Sequence, residues 1–169
     1  AWQADMSYLL GKDNKVAGKN CRLETTVEKD KNLFFLRAKI DLNHFNSGNE
    51  NRDASILKDL SSDNSTLVFF ETEKLSKNIW LKRILQGKGK LNGSLRIKTK
   101  VYPLEFSFER YHIESSSFIK GKSLTSFKHL DIKAPSDFFS TGRFKDNLSF
   151  FYQFELARIK NIQFIMGNK

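Results

Sequence analysis

From residue 33 the chain alternates. Phe34, Leu36, Ala38, Ile40 and Leu42 fall on one face, and Leu33, Phe35, Arg37, Lys39 and Asp41 fall on the other, which turns charged as the run proceeds. An apolar period of two predicts a half-buried antiparallel strand. Asn46, Ser47, Gly48 and Asn49 then supply turn residues, two types of which tolerate positive φ. Behind Glu50 and Asp53, the cluster Ile56, Leu57 and Leu60 predicts a short helix. Asn49 or Asn51 caps it, with acidic residues in the first turn.

A second alternation runs over residues 87–109. Gly89, Leu91, Gly93, Leu95 and Ile97 share one face, and Lys88, Lys90, Asn92, Ser94, Arg96 and Lys98 share the other. A turn around Thr99 and Lys100 reverses the chain. Leu104, Phe106 and Phe108 then point inward, with Glu105, Ser107 and Glu109 opposite, so a basic outer face meets an acidic neighbour. Two inward glycines in one strand predict curvature or interior space.

The rest is read more coarsely. A first strand covers 1–10, with Tyr8 and Leu10 on one face. A turn at 11–15 leads to one strand at 16–28, carrying Cys21, Leu23, Thr25 and Val27 on one side, and then a charged turn at 28–32. Residues 67–72 form a strand covered on both faces at its start. Residues 74–85, with Leu75, Ile79, Trp80 and Leu81, fit a helical turn or an irregular strand. Another strand at 113–125 aligns Ile119, Gly121 and Ser123. An irregular stretch at 127–143 holds the breakers Pro135 and Gly142. The last strand, 146–156, aligns Leu148, Phe150, Tyr152, Phe154 and Leu156, and 158–166 extends it or packs as a tail.

About eight strands of roughly ten residues, with one or two short helices in the connections, predict an all-β fold. An antiparallel closed β-barrel is favoured over a sandwich because the strands are long. The 169 residues suit one domain, 1–169. The inward faces mix Phe with Gly, Ala, Ser and Thr, which leaves a lumen only partly filled, and a barrel of about eight strands holds one small ligand. The candidate wall comprises Phe34, Leu36, Ala38 and Ile40 of the first run and Leu91, Gly93, Leu95 and Ile97 of the second. Leu104, Phe106 and Phe108 follow, and Phe150, Tyr152 and Phe154 complete it. From the residues alone this set serves equally as a packed core or as the wall of an apolar tunnel.

Charge adds a second class of reading. With 29 Lys+Arg against 19 Asp+Glu, the net charge is +10, which draws a protein to nucleic acid, anionic membrane surfaces and acidic ligands. Most of the lysines are scattered, and no face interleaves them with aromatics as single-strand binders do. A polyanion binder is therefore the alternative, and peripheral contact with an anionic membrane goes with either reading. Cys21 is the only cysteine, so no intrachain disulfide forms, and its place in an alternating run predicts a buried thiol. No run approaches the roughly 18 apolar residues of a membrane helix. The chain begins at Ala1 without Met, which fits a removed leader.

Reactive chemistry is sparse. His44, His112 and His129 are scattered and give no metal spacing. Gly87-Lys88-Gly89-Lys90 opens a strand rather than a helix, so the dipole argument for phosphate fails. No nucleophile elbow, P-loop or dinucleotide motif occurs. The reading is non-catalytic, without metal or cofactor other than an apolar molecule held in the lumen. Arg52 and Asp53 are the best polar pair. They either hold a head group at the barrel mouth or brace the corner, where Asp53 suits a helix first turn.

The corner and the central segment together resemble the YceI-like family of lipocalin-like, polyisoprenoid-binding barrels. The family corner reads roughly T-G-n-x-x-R-D-x-h-L, and Phe45 to Asp53 followed by Ile56-Leu57 stand in that pattern. Its central segment is matched by Gly89 to Lys98, then Tyr102-Pro103-Leu104 and Phe106. The resemblance implies an exported, often periplasmic protein that binds or transports a long isoprenoid or similar amphiphile in its barrel, without a catalytic centre. The oligomeric state stays open, a dimer included.

Overall fold

The computed structural model describes residues 1–8, 13–20, 22–62, 65–133 and 142–167. In chain order the elements are β1 (Trp2–Tyr8), β2 (Asp13–Asn20), β3 (Leu23–Asp30), β4 (Leu33–Asp41), β5 (Phe45–Asn46), α1 (Glu50–Leu60), β6 (Leu67–Thr72), β7 (Leu75–Ser76), α2 (Lys77–Gln86), β8 (Lys88–Ile97), β9 (Lys100–Ile113), β10 (Ser116–Thr125), β11 (Gly142–Phe144), β12 (Leu148–Glu155) and α3 (Gln163–Met166). Leu10, Cys21 and Pro135, on which the sequence reading also touched, lie outside the described residues.

All named strands pair antiparallel in the order β3-β4-β6-β8-β9-β10-β12-β1-β2-β5, with β7 beside β4 and β11 beside β1. One strongly curled sheet wraps a single interior, which sets the sandwich aside in favour of the lipocalin-like barrel. The stretch read as one strand at 16–28 is two, since β2 ends at Asn20 and β3 begins at Leu23. No ladder joins β3 to β2 among the described residues. The outer edge of β3 instead takes up the C-terminal chain: Val27 N donates to Lys160 O at 2.9 Å, and Lys160 N donates to Thr25 O at 2.9 Å. That cover satisfies edge groups that would otherwise template pairing with another chain.

The two strong alternations hold in register. Leu91 pairs with Phe106 and Gly93 with Leu104, through a tight turn in which Lys98 has φ 56°. β3 and β4 close on a two-residue turn, Asp30 opposite Leu33. On the outer face Arg37 reaches Glu28 at 2.6 Å and Glu71 at 2.7 Å, and Arg96 reaches Glu71 at 3.6 Å. This network crosses four strands, β3, β4, β6 and β8, and the Arg37 guanidinium lies over the Phe35 and Phe69 rings. A network of this kind contributes more than isolated surface pairs do.

Helix α1 starts as its residues dictate. Asn49 is the N-cap, and its side chain accepts from Arg52 N at 2.9 Å. The ambiguous stretch at 74–85 resolves into the short β7 and the helix α2, because Trp80 and Ile84, four apart, both bury inward. Gly87 at φ 73° ends that helix in the left-handed region. The tail does not extend β12. It turns back, and α3 anchors itself through Ile165, which is 1% exposed. Between β10 and β11, Phe127 and Leu130 also fold into the core.

Candidate functional site

The interior is not solid. A cavity of about 1030 Å³ runs inside the curl. Helices α1 and α2 face it from opposite ends of β4. Near α1, whose Ile56 and Leu60 face the cavity, β4 runs out at Asp41. The other end, Leu33 and Phe34, lies under β7 and α2, where Trp80 and Ile84 contribute. Trp80 Nε1 donates to Phe34 O at 2.7 Å and fastens α2 onto the sheet.

Most of the sequence-predicted wall is brought together here. Leu36, Ala38 and Ile40 of β4, Leu91, Leu95 and Ile97 of β8, Phe106 and Phe108 of β9, and Phe150, Tyr152 and Phe154 of β12 all line the cavity. Phe34, Gly93 and Leu104 do not line it. Phe34 and Leu104 are buried in the surrounding cluster. At Gly93 a Cβ would meet the Phe106 ring and the Glu71 carbonyl oxygen. The space that the inward glycine leaves is thus taken by a neighbouring ring, as edge glycines are covered by cross-strand aromatics.

The rings set the texture of the wall. Phe70 meets Phe106 and Phe150 edge-on, with centroids 5.9 and 5.2 Å apart, and Tyr152 stacks on Phe154 at 5.7 Å. Each such geometry suits the ring quadrupoles. Opposite Gly121, Tyr152 reaches across the glycine to donate its hydroxyl to Ser107 O. Burial pushes the Tyr152 phenol well above its ordinary pKa, so it stays neutral and keeps the proton that it donates.

Sequence reasoning missed the contributions of the helices and the loops. Ile56 and Leu60 of α1, Trp80 and Ile84 of α2, and Phe127 and Leu130 after β10 all line the cavity. For α1 a signal existed in the i, i+4 spacing of Ile56 and Leu60, but no sequence pattern says which strand ends a helix covers. Trp2 and Phe45 stack at 5.9 Å and add another wall. Trp2 Nε1 is buried with no hydrogen-bond partner among the described residues, as is Ser123 Oγ on β10. Buried donors without partners are uncommon, and each costs free energy until something accepts from it.

Arg52 and Asp53 are not among the lining residues. Both oxygens of Asp53 accept from Ser47 N, at 3.0 and 3.1 Å, and Arg52 donates to Ser47 O at 3.4 Å. The pair ties the corner to the first turn of α1. Nearby, Asp41 accepts from Asn43 N at 3.1 Å and from Thr66 Oγ1 at 2.9 Å. These bonds, the backbone one foremost, hold its carboxyl below the usual carboxylate range. The three histidines lie apart: His44 contacts Arg22, His112 contacts Ser117, and His129 contacts Pro103 O.

No family model matches the sequence, and no curated protein matches it either. Solved structures do match the fold. The YceI protein of Campylobacter jejuni superposes with a TM-score of 0.58 at 14% identity, covering 84% of each chain. BcnA of Burkholderia cenocepacia gives 0.60 at 12% identity over 91% of this chain and 95% of its own. A polyisoprenoid-binding domain from Saccharophagus degradans, implicated in plant cell wall breakdown, gives 0.56 at 10% identity over 91% of each. The chain therefore has the YceI-like fold, as the corner and the central segment led one to expect.

Proposed function

We propose that this chain binds and carries a long apolar or amphiphilic lipid of the polyisoprenoid class inside its cavity, and does no chemistry on it. The observation that carries this reading is a cavity of about 1030 Å³ walled by aliphatic and aromatic side chains from nearly every strand. That volume is at the upper end of ligand sites, which are about 300–1,000 Å³ and mainly apolar with a few polar groups. The fold shared with a polyisoprenoid-binding domain adds the lipid class.

Magnitudes bear on ligand length. Each buried CH₂ contributes about 0.8 kcal/mol, while association costs about 4–15 kcal/mol. One isoprene unit of five carbons therefore scarcely offsets that cost, whereas about four units, roughly 16 kcal/mol, exceed it. The expected ligand is long. Mass spectrometry of an organic extract of the purified protein tests this, with one amphiphile near equal molar amount as the expected result. An extract free of lipid, together with failure to bind an added prenyl or acyl probe, refutes it. We also place the protein outside the cytoplasm, in the periplasm or an equivalent compartment. Fractionation of cells expressing the full gene product checks that, and a wholly cytoplasmic signal refutes it.

A further inference from the structure

The helix that closes one end of the cavity has an unusual outer side. Trp80, Arg83 and Ile84 of α2 line the cavity, yet Leu85 on the same helix is 77% exposed and Ile79 is 45% exposed. Helix α3 packs beside α2. It anchors through Ile165 and leaves Phe164 and Met166 at 42% and 41% exposure. Four large apolar side chains thus stand in water on two adjoining short helices. The sequence of α2, KNIWLKRILQ, holds three cations and no carboxylate. Its Lys77 and Lys82 have no ion-pair partner among the described residues. Arg158 and Lys160 in the tail are paired instead, with Glu155 at 2.9 Å and Glu24 at 3.6 Å, so among the described residues the free cations of this face are those of α2.

We propose that α2 and α3 form a docking face for an anionic lipid bilayer, set over the end of the cavity through which its lipid enters and leaves. This rests on the reading that the cavity holds lipid. Exposed apolar residues interleaved with unpaired cations are what an interfacial helix presents: the apolar side chains enter the boundary of the acyl region while the lysines meet anionic head groups. A protein partner with an acidic groove has the complementary charge too. The position of the face decides for the bilayer, because a lipid that leaves the cavity beneath α2 then passes into a membrane without crossing water. The hydrogen bond from Trp80 Nε1 to Phe34 O is the latch such a passage must release.

The test is co-sedimentation of the full chain with phosphatidylcholine vesicles, with and without phosphatidylglycerol. The expected result is binding only to the anionic vesicles. Lys77→Glu with Lys82→Glu weakens that binding about 25-fold or more, at about fivefold for each lysine close to an anionic surface. Ile79→Ser with Leu85→Ser weakens it as well, with the salt dependence unchanged, because that contribution is hydrophobic. A control of equal charge change, Lys58→Glu with Lys128→Glu, stays within about threefold, since both residues lie away from α2 and an exposed charge beyond a Debye length of about 10 Å is screened. All these residues are outside the cavity wall, so binding of a fluorescent prenyl probe in solution stays unchanged in every variant. Loss of probe binding in the wild type defeats the lipid-cavity reading, whereas the vesicle result alone decides the docking face. Absence of binding to anionic vesicles, or an equal loss in the control pair, overturns the docking proposal.

Discussion

Ala38→Phe separates an empty lumen from a packed core. Ala38 sits on β4 with its methyl group on the cavity wall, opposite Thr25 on one side and Phe70 on the other. Phe is at least as good a strand former as Ala, so the backbone does not object. In a packed core the added ring overpacks and costs about 1–3 kcal/mol. In the cavity it finds room, and burying a Phe side chain contributes about 1.5–3 kcal/mol. Stability therefore holds or rises. The ligand suffers instead. A six-carbon ring displaces about four to six methylenes, which at about 0.8 kcal/mol each is about 3–5 kcal/mol, or roughly 200-fold to several thousandfold in affinity. Thermal unfolding followed by circular dichroism reads the first effect, and titration with a fluorescent prenyl probe reads the second. A variant that loses more than about 1 kcal/mol of stability while keeping the probe affinity would show a packed interior and end the argument.

Three further outcomes follow from the geometry. Asp53→Ala removes two acceptor contacts and a first-turn charge, so chemical denaturation loses about 1–2 kcal/mol while probe binding is unchanged, because Asp53 is outside the wall. The lowered pKa of Asp41 means that its contribution is present above its ordinary value of 3.8 and is lost as pH falls through the folded-state value below it. Asp41→Asn should accordingly flatten the acid limb of stability against pH, and an unchanged slope there counts against the assignment. Probe binding should survive about 0.5 M salt, where the Debye length is roughly 4 Å, and DNA binding through the +10 charge should not. Salt-resistant, sequence-selective DNA binding without probe binding reverses the two readings.

What the sequence determined by itself is what depends on short range. The period-two runs of β4, β8, β9 and β12 place Ala38, Leu95, Phe106 and Phe150 on one face whatever the global arrangement, because successive side chains must point to opposite sides. The corner was equally legible, since Asn49 needs only its own helix start to act as a cap. Tertiary structure decided the rest. Whether Leu36 and Phe150 bound a hole or fill a core depends on how tightly the sheet curls, and nothing in their spacing states that radius. For Arg52 and Asp53 the sequence offered a brace ahead of a head-group site, and only folding puts both side chains on the Ser47 backbone. The walls supplied by Trp80, Ile84, Phe127 and Leu130 come from elements far from the β4 and β12 runs in the chain, joined only by folding. The exposed Leu85 and Phe164 are the same kind of case: an apolar residue in the sequence carries no mark of which side of a helix the core will take.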